Sequence, residues 1–279
     1  MTILITGATG TIGTQLIKEL NAKGATFYSM TSKPSNAANT RVASFDDVAS
    51  LTKAFTGIKT LFVLLPLAAN KLELARNVAT AAKAAGVQHI VRSSGAGADA
   101  ASSFALPRLQ GQIDDMLSAT GIACTFLRPA GFMQNYATYQ AEQVKAGLIS
   151  AAHGDAKKSM VDARDIAAVA ATILINPAGH AGKAYTLTSN DSLSEVESAA
   201  ILATATGKPV HYEAISNETA INGMKQWGLP QEVIDVMASL NDIVSAGYAA
   251  GTTSDVQTLL ARAPISFAQF AEDYSGVWK

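Results

Sequence analysis

Charge of either sign is scarce in this chain. Only 15% of its 279 residues are charged, they sum to a formal net charge of -1, and no cluster of lysine and arginine occurs. Such a composition offers no electrostatic footprint for a nucleic-acid partner. Cysteine is scarcer still. Cys124 stands alone, so no intrachain disulfide can form and a reducing compartment is expected. It sits in the apolar run Ala123–Leu127, where a buried, inert thiol fits better than a nucleophile. Long hydrophobic runs are missing as well: Leu61–Ala69 and Ile166–Ile175 are the longest, too short to span a bilayer. With a strand expected from residue 2 and no signal peptide visible, the chain reads as soluble and cytoplasmic. No membrane or nucleic-acid partner is expected, and the protein is either a monomer or a homodimer.

What is present begins at residue 2. Thr2–Thr6 is a short apolar, β-branched run, and it passes directly into Gly7-Ala8-Thr9-Gly10-Thr11-Ile12-Gly13. An amphipathic helix is expected from about Thr14 to Lys23. A glycine turn between a first strand and a first helix either is an ordinary βα turn or holds a pyrophosphate. In the second case Gly7 permits the turn, Gly10 lets the backbone approach the phosphates and Gly13 allows close helix–strand packing. The spacing is G-x-x-G-x-x-G, not the G-x-G-x-x-G of typical dehydrogenases.

Strand-like and helix-like segments then alternate. Strands are expected at Thr26–Met30, Arg41–Ser44, Thr60–Leu65, His89–Ser93 and Cys124–Leu127, with helices at Phe45–Phe55, Lys71–Ala85 and Leu109–Ala119. Gly24, Gly57, Gly86 and Gly121 each follow a helical stretch, where a left-handed C-cap is wanted. The pattern predicts an α/β protein, a Rossmann-type doubly wound parallel sheet with a smaller, mostly helical C-terminal lobe. The nucleotide-binding core spans about 1–130 and the substrate lobe about 131–279, within one domain. In the second half, Asp162 is an expected N-cap for a helix to Ile175, Ala184–Thr188 and Val210–Ile215 read as strands, and Asn217–Ala250 reads as helix broken at Gly228-Leu229-Pro230. Ser194–Glu197 and Ser266–Gln269 have capping-box spacing.

Several segments together resemble the NmrA-like family of atypical short-chain dehydrogenase/reductases. They are ITGATGTIG at Ile5–Gly13, SFDDVASL at Ser44–Leu51, AAKAAGVQHIVRSS at Ala81–Ser94, SATGIACTFLRPAGFMQN at Ser118–Asn135, VDARDIAAVAA at Val161–Ala171, GKAYTLT at Gly182–Thr188 and ARAPISFAQFAEDY at Ala261–Tyr274. Within that family the chain looks most like bacterial NAD(P)H:quinone oxidoreductases and dye reductases. The resemblance, with the doubly wound pattern, implies a cofactor groove of Gly7, Thr9, Gly10, Thr11, Ile12, Gly13, Asp46, Leu65, Pro66, Leu67, Ser93, Ser94, Pro129, Ala130 and Gly131. Asp46 either meets the adenine or caps the next helix. Ser93 and Ser94 are expected beneath the nicotinamide. Arg128 reads as a structural salt-bridge residue, and Gln110 occupies a polar position that is often histidine in relatives.

Two further absences bear on chemistry. No acidic residue occurs between Glu19 and Asp46, so nothing after strand two would repel a 2′-phosphate. Thr31 and Ser32 can donate hydroxyl hydrogen bonds and Lys33 a positive charge, which favours NADP(H), with NAD(H) possible. The alternative is a solvated turn. Typical short-chain dehydrogenases also carry a tyrosine and a lysine four residues apart after strand five, as proton donor and its partner. Here no tyrosine lies between Tyr28 and Tyr136, and no lysine between Lys83 and Lys145. Without that dyad, hydride delivery to an ordinary ketone lacks its acid. A quinone or a cationic dye needs only proximity and orientation.

The expected function is therefore an NADPH-dependent reductase transferring hydride directly to a quinone or similar planar electrophile, without flavin or metal. The alternatives are an NADP(H)-sensing regulator without catalysis, or, less favoured, an isomerase. Candidate walls of the small-molecule acceptor pocket are Phe132, Met133, Asn135, Tyr136 and Tyr139, with Phe132 and Met133 alternatively core residues. Asn135 or Tyr136 is the expected hydrogen-bond donor to a quinone oxygen. His153, in a loop-like Ala-His-Gly-Asp stretch, reads as a solvated loop residue, the alternative being that it approaches the site from the second lobe. His89, His180 and His211 lack metal-ligand spacing.

Overall fold

A computed structural model describes residues 2–279. The chain divides into two compact units. One comprises residues up to Ser103, Pro107–Arg128 and Ile166–Thr186; the other comprises Phe104–Leu106, Pro129–Asp165 and Leu187–Lys279.

The first unit is built on β1 (Ile3–Ile5), α1 (Thr11–Ala22), β2 (Phe27–Thr31), β3 (Thr40–Val42), α2 (Val48–Phe55), β4 (Thr60–Val63), α3 (Lys71–Ala84), β5 (His89–Ser93), α4 (Ala105–Ser118) and β6 (Ala123–Pro129). With β10 (Ala184–Leu187) these strands form a seven-stranded sheet of order β10-β6-β5-β4-β1-β2-β3. The pairings from β3 through β6 are parallel, which is the 3-2-1-4-5-6 order of a doubly wound sheet. The chain steps from β1 towards one edge and from β3 through β6 towards the other. Right-handed crossovers therefore put α1 on one face and α2, α3 and α4 on the other, and α2 packs on α3. Covered on both sides, β4 and β5 are buried at every residue, as the apolar runs LFV and HIV require. Gly24, Gly57, Gly86 and Gly121 all adopt positive φ, between 65° and 79°, and end their helices as the sequence predicts.

The boundaries that differ have local causes. α1 starts at Thr11, not Thr14, because Gly10 is its N-cap and the last three residues of the turn, Thr11-Ile12-Gly13, are its first helical residues. The cap of α2 is Asp47, whose carboxylate accepts from the Ala49 and Ser50 amides, so Asp46 does not serve that role. α4 begins at Ala105, four residues before the expected Leu109.

The second unit contains β7 (Gly131–Phe132), a 3-10 helix (Met133–Ala137), α5 (Ala141–Lys145), β8 (Leu148–Ala151), β9 (Lys158–Val161), β11 (Ser192–Leu193), α7 (Glu195–Thr206), β12 (His211–Ala214), α8 (Asn217–Gln226), α9 (Gln231–Ser245), α10 (Asp255–Leu260) and α11 (Phe267–Asp273). The helix α6 (Ala163–Ile175) runs from this unit into the first, and Asp162 accepts from the Arg164 amide at 2.8 Å at its start. Strands β11-β9-β7 form one small sheet and β12-β8 another. Two to four residues are too few for a period-2 pattern, so β7, β8, β9 and β11 carry no readable sequence signal. Ser194 and Glu197 form a full capping box on α7. Ser266 and Gln269 form half of one: Ser266 Oγ accepts from the Gln269 amide at 3.2 Å, but the Gln269 side chain donates to Asp273. The core of this unit gathers Met133, Tyr136, Ile149, Met160, Leu202, Phe267, Phe270 and Trp278.

Candidate functional site

The glycine turn follows β1 at the point where strand order reverses, between β1 and β4, where ligands of open α/β sheets bind. Thr6 clamps that point: its hydroxyl accepts from the Leu64 amide at 2.8 Å and its own amide donates to Phe62 O at 3.0 Å. Gly7 has φ +65°, and a Cβ there would press on Leu64 at 3.0 Å. A Cβ on Gly13 would lie 2.1 Å from Gly7 O, so only glycine lets α1 approach the turn. Gly10 caps α1 without a side chain, and no side-chain bond closes the helix end. The first-turn amides are thus left to a ligand, with the positive end of a 12-residue helix behind them.

The other expected cofactor residues follow the carboxyl ends of parallel strands and so share one rim of the sheet. Thr31 ends β2, and its hydroxyl accepts from the Lys33 amide at 3.1 Å, shaping a turn that leaves Ser32 and Lys33 exposed. Arg41, the nearest arginine in sequence, is spent elsewhere: its Nη1 donates to Thr56 O at 2.7 Å and it lies 4.2 Å from the Tyr28 ring centre. Asp46 is exposed and accepts from Asn70 at 3.3 Å. After β4, Leu65 is buried while Pro66 and Leu67 are exposed. Ser93 and Ser94 are both buried at the end of β5.

Ser94 is not free. Its hydroxyl donates to Asp114 Oδ2 at 2.9 Å and accepts from Arg92 Nη1 at 2.9 Å. Arg92 also pairs with Asp114 Oδ1 and donates to the Gln110 backbone and side-chain oxygens. Arg128 adds a contact to Asp114 at 3.2 Å, the structural role expected of it. The inward face of α4 is therefore occupied by Gln110 and Asp114 bound to a buried arginine. Gly111 admits the 99–100 backbone, which a Cβ would meet at 2.1 Å.

The second unit holds a cavity of about 360 Å³. Of the expected pocket residues, Phe132, Asn135, Tyr136 and Tyr139 line it, together with Gly131, which was expected in the cofactor groove. Met133 does not; it is fully buried in the core of the unit, since in the 3-10 helix it turns away from its neighbours. The far wall comes from the helical stretch expected over 217–250, in which no site residue is expected, and includes Met224 on α8 and Met237, Leu240 and Val244 on α9. Methionine side chains are flexible and make this wall adaptable.

One end of the cavity is polar. Tyr136, His153 and Lys158 line it, and all three converge on Glu195, whose side chain is fully buried. Tyr136 Oη donates to Glu195 Oε2 at 2.5 Å, His153 Nδ1 meets Glu195 Oε1 at 2.8 Å, and Lys158 Nζ contacts the same oxygen. Burial alone would raise the Glu195 pKa. The His153 hydrogen bond, the Lys158 charge and bond and the Tyr136 bond outweigh it and hold the carboxyl at about 2. Burial and the Glu195 charge push the Tyr136 phenol well above its usual range.

Two expectations change here. His153 is not a solvated loop residue: its side chain is 12% exposed and held by Glu195. The Tyr136 hydroxyl cannot be the donor to a quinone oxygen, because its proton is committed to Glu195. Glu195 and Lys158 were not anticipated; Glu195 hides between the two members of a capping box, and Lys158 opens a four-residue strand. Among the described residues no group of three or more His, Cys, Asp and Glu could hold a metal ion, and no helix is long and apolar enough to cross a membrane. Cys124 is buried, and burial raises its thiol to about 11.

A parallel sheet in this order with a glycine turn at its switch point defines a Rossmann-type, nucleotide-binding class of α/β protein. Residues 1–259 match the NmrA-like family, and the chain belongs to it. It is 34% identical to an NAD(P)H azoreductase of Xenophilus azovorans, over 99% of both chains. Among solved structures it is similar to an NADPH-dependent quinone oxidoreductase of Escherichia coli complexed with NADPH. That match has 29% identity and TM-score 0.86, over 97% of this chain and 99% of the other. It is also similar to the triphenylmethane reductase of Citrobacter sp. complexed with NADP(H), with 27% identity and TM-score 0.84, over 98% and 100%.

Proposed function

We propose that this protein is an NADPH-dependent reductase that passes hydride directly to a planar, conjugated electrophile of the quinone, azo or cationic dye kind. The observation that carries this reading is the cavity of about 360 Å³, mostly apolar and walled by Phe132, Tyr136 and Tyr139, in a chain whose relatives are reductases of such acceptors. Aromatic walls offer stacking to a flat ligand. A cavity with polar groups at one end favours turnover over nucleotide sensing alone.

The amides of Thr11, Ile12 and Gly13 fit a diphosphate, because Gly10 leaves the helix end without a side-chain cap and Gly7 and Gly13 let the turn and α1 pack closely. Thr31, Ser32 and Lys33 fit a 2′-phosphate, with a hydroxyl donor and an exposed cation in one turn and no carboxylate to oppose it. When bound, NADPH supplies the hydride. On the acceptor side, Phe132 and Tyr139 hold the ring plane. With the Tyr136 proton committed to Glu195, the Asn135 amide is left to donate to an acceptor oxygen. Gly131, next after the Pro129-Ala130 bend that ends β6, contributes backbone to the cavity wall.

Steady-state NADPH oxidation with a benzoquinone, an azo dye and a cationic triphenylmethane dye tests the reading. Turnover of at least one is expected. NADPH binding with no turnover of any would instead identify a nucleotide sensor.

A further inference from the structure

The Tyr136–Glu195–His153–Lys158 cluster is more than a support for the cavity wall. Glu195 is held anionic by three donors, so the His153 ring nitrogen facing it must carry a proton and donate. Nδ1 is thereby fixed as the donor to Glu195, and Nε2 is the ring nitrogen left for a ligand. His153 belongs to the cavity lining, while Glu195 stands behind it, completely buried. Such an arrangement, a titratable ring facing a ligand space and a carboxylate orienting it from behind, is how a general acid is positioned.

Other groups near the ring leave this role open. Lys158 on β9 contacts the same Glu195 oxygen and reaches over the Tyr136 ring at 5.4 Å. Tyr136 is spent on Glu195. Tyr212 on β12 donates to Ala151 O at 3.0 Å, and Asp155 lies on the same turn as His153. None of these bonds uses Nε2.

We infer that protonated His153 is the proton donor to the reduced acceptor, delivering the proton from Nε2, with Glu195 as the positioning residue. The inference rests on the reductase reading above. The acceptor gains a hydride, with its electron pair, from NADPH. The N–H bond of the imidazolium breaks as the second O–H or N–H bond of the hydroquinone or hydrazo product forms, and water returns a proton to the neutral ring. A quinone can take that proton from water afterwards. An azo bond, whose half-reduced anion is strongly basic, needs it in the step. A triphenylmethane cation needs none.

The test uses the purified full chain with all three acceptors across pH, as wild type and as His153→Gln. For the azo compound, which needs the proton in the step, wild-type kcat/KM is expected to fall as pH rises and to show a normal solvent deuterium effect. H153Q is expected to lower kcat/KM near neutrality by about 100-fold for the azo compound, with a smaller loss on the quinone and disappearance of the alkaline fall. The cationic dye should change by no more than a few-fold, and NADPH affinity by calorimetry should hold. Wild-type rates and pH profile in H153Q overturn the inference. So does an equal loss on all three acceptors, which would assign His153 to pocket shape. If H153Q fails to fold, the wild-type isotope effect decides, and its absence on the azo compound overturns the inference. Failure of the wild type with every acceptor defeats the reductase reading first, and this inference with it.

Discussion

Each unit of the molecule buries one carboxylate among three donors, and the two clusters are built for different ends. In the first unit Asp114 holds Arg92, Ser94 and Arg128. In the second Glu195 holds Tyr136, His153 and Lys158. The cations around Asp114 are the guanidinium groups of Arg92 and Arg128, each in a salt bridge with it. Those bonds tie β5 and β6 to α4 and exchange nothing. The three donors around Glu195 include an imidazole, and all three line a cavity. A buried charge network is thus a fastening or a working part according to whether one of its members both titrates and faces ligand space.

The largest expected effect tests the fastening. Asp114→Ala leaves Arg92, which is 1% exposed, without its counter-ion, and should destabilise the fold by about 3–5 kcal/mol, read by urea denaturation. A loss below about 1 kcal/mol would mean that Gln110 and Ser94 alone suffice to hold Arg92.

Next comes the pH dependence of the second cluster. The Glu195 pKa is about 2 in the fold against 4.5 as its ordinary value. A depressed carboxyl contributes stability above its unfolded pKa and loses it as pH falls towards the folded one. About 3 kcal/mol should therefore disappear between pH 5 and pH 2, and E195Q should lack that part of the acid loss. Unfolding curves at the two pH values check it; parallel losses in both proteins would show that Glu195 is not the group responsible.

The smallest effect concerns the rim of the first unit, where the proposed nucleotide contacts are backbone amides and the exposed Lys33 rather than a buried cluster. Lys33→Ala should weaken NADPH binding by about 1 kcal/mol, near tenfold or less, and leave NADH binding unchanged. Calorimetry with both nucleotides checks this, and wild-type protein should bind NADPH more tightly. Equal affinities would return Lys33 to a solvated turn.

The two regions also differ in how far residue order reveals them. The nucleotide rim was legible because its parts are local. Glycine spacing, the strand before it and the helix after it occupy thirteen consecutive residues, and parallel strands then carry every strand-end loop to one edge. Even there, local reading chose Asp46 as a possible cap where Asp47 is the cap, since adjacent carboxylates differ only in which amide they reach. It could not show that Ser94 is committed to Arg92 and Asp114, twenty residues away along the chain.

The cavity was legible only on one side. Phe132, Asn135, Tyr136 and Tyr139 lie together in sequence and were grouped by type; the opposite wall comes from α8 and α9, about ninety residues on. Met133 sat in the same run and belongs to the core, because one step in a tight helix reverses the direction of a side chain.

Composition, glycine placement and period thus determined the architecture class, the glycine turn between β1 and α1 and the missing tyrosine–lysine pair, all of which depend on neighbours within a few residues. Tertiary structure alone decided that His153, Lys158 and Tyr136 share one carboxylate. That meeting depends on the β8–β9 turn, β9, a 3-10 helix and the first residue of α7 folding to one point. No spacing along the chain encodes such a contact, because burial and hydrogen-bond pairing are settled by what each residue meets in space.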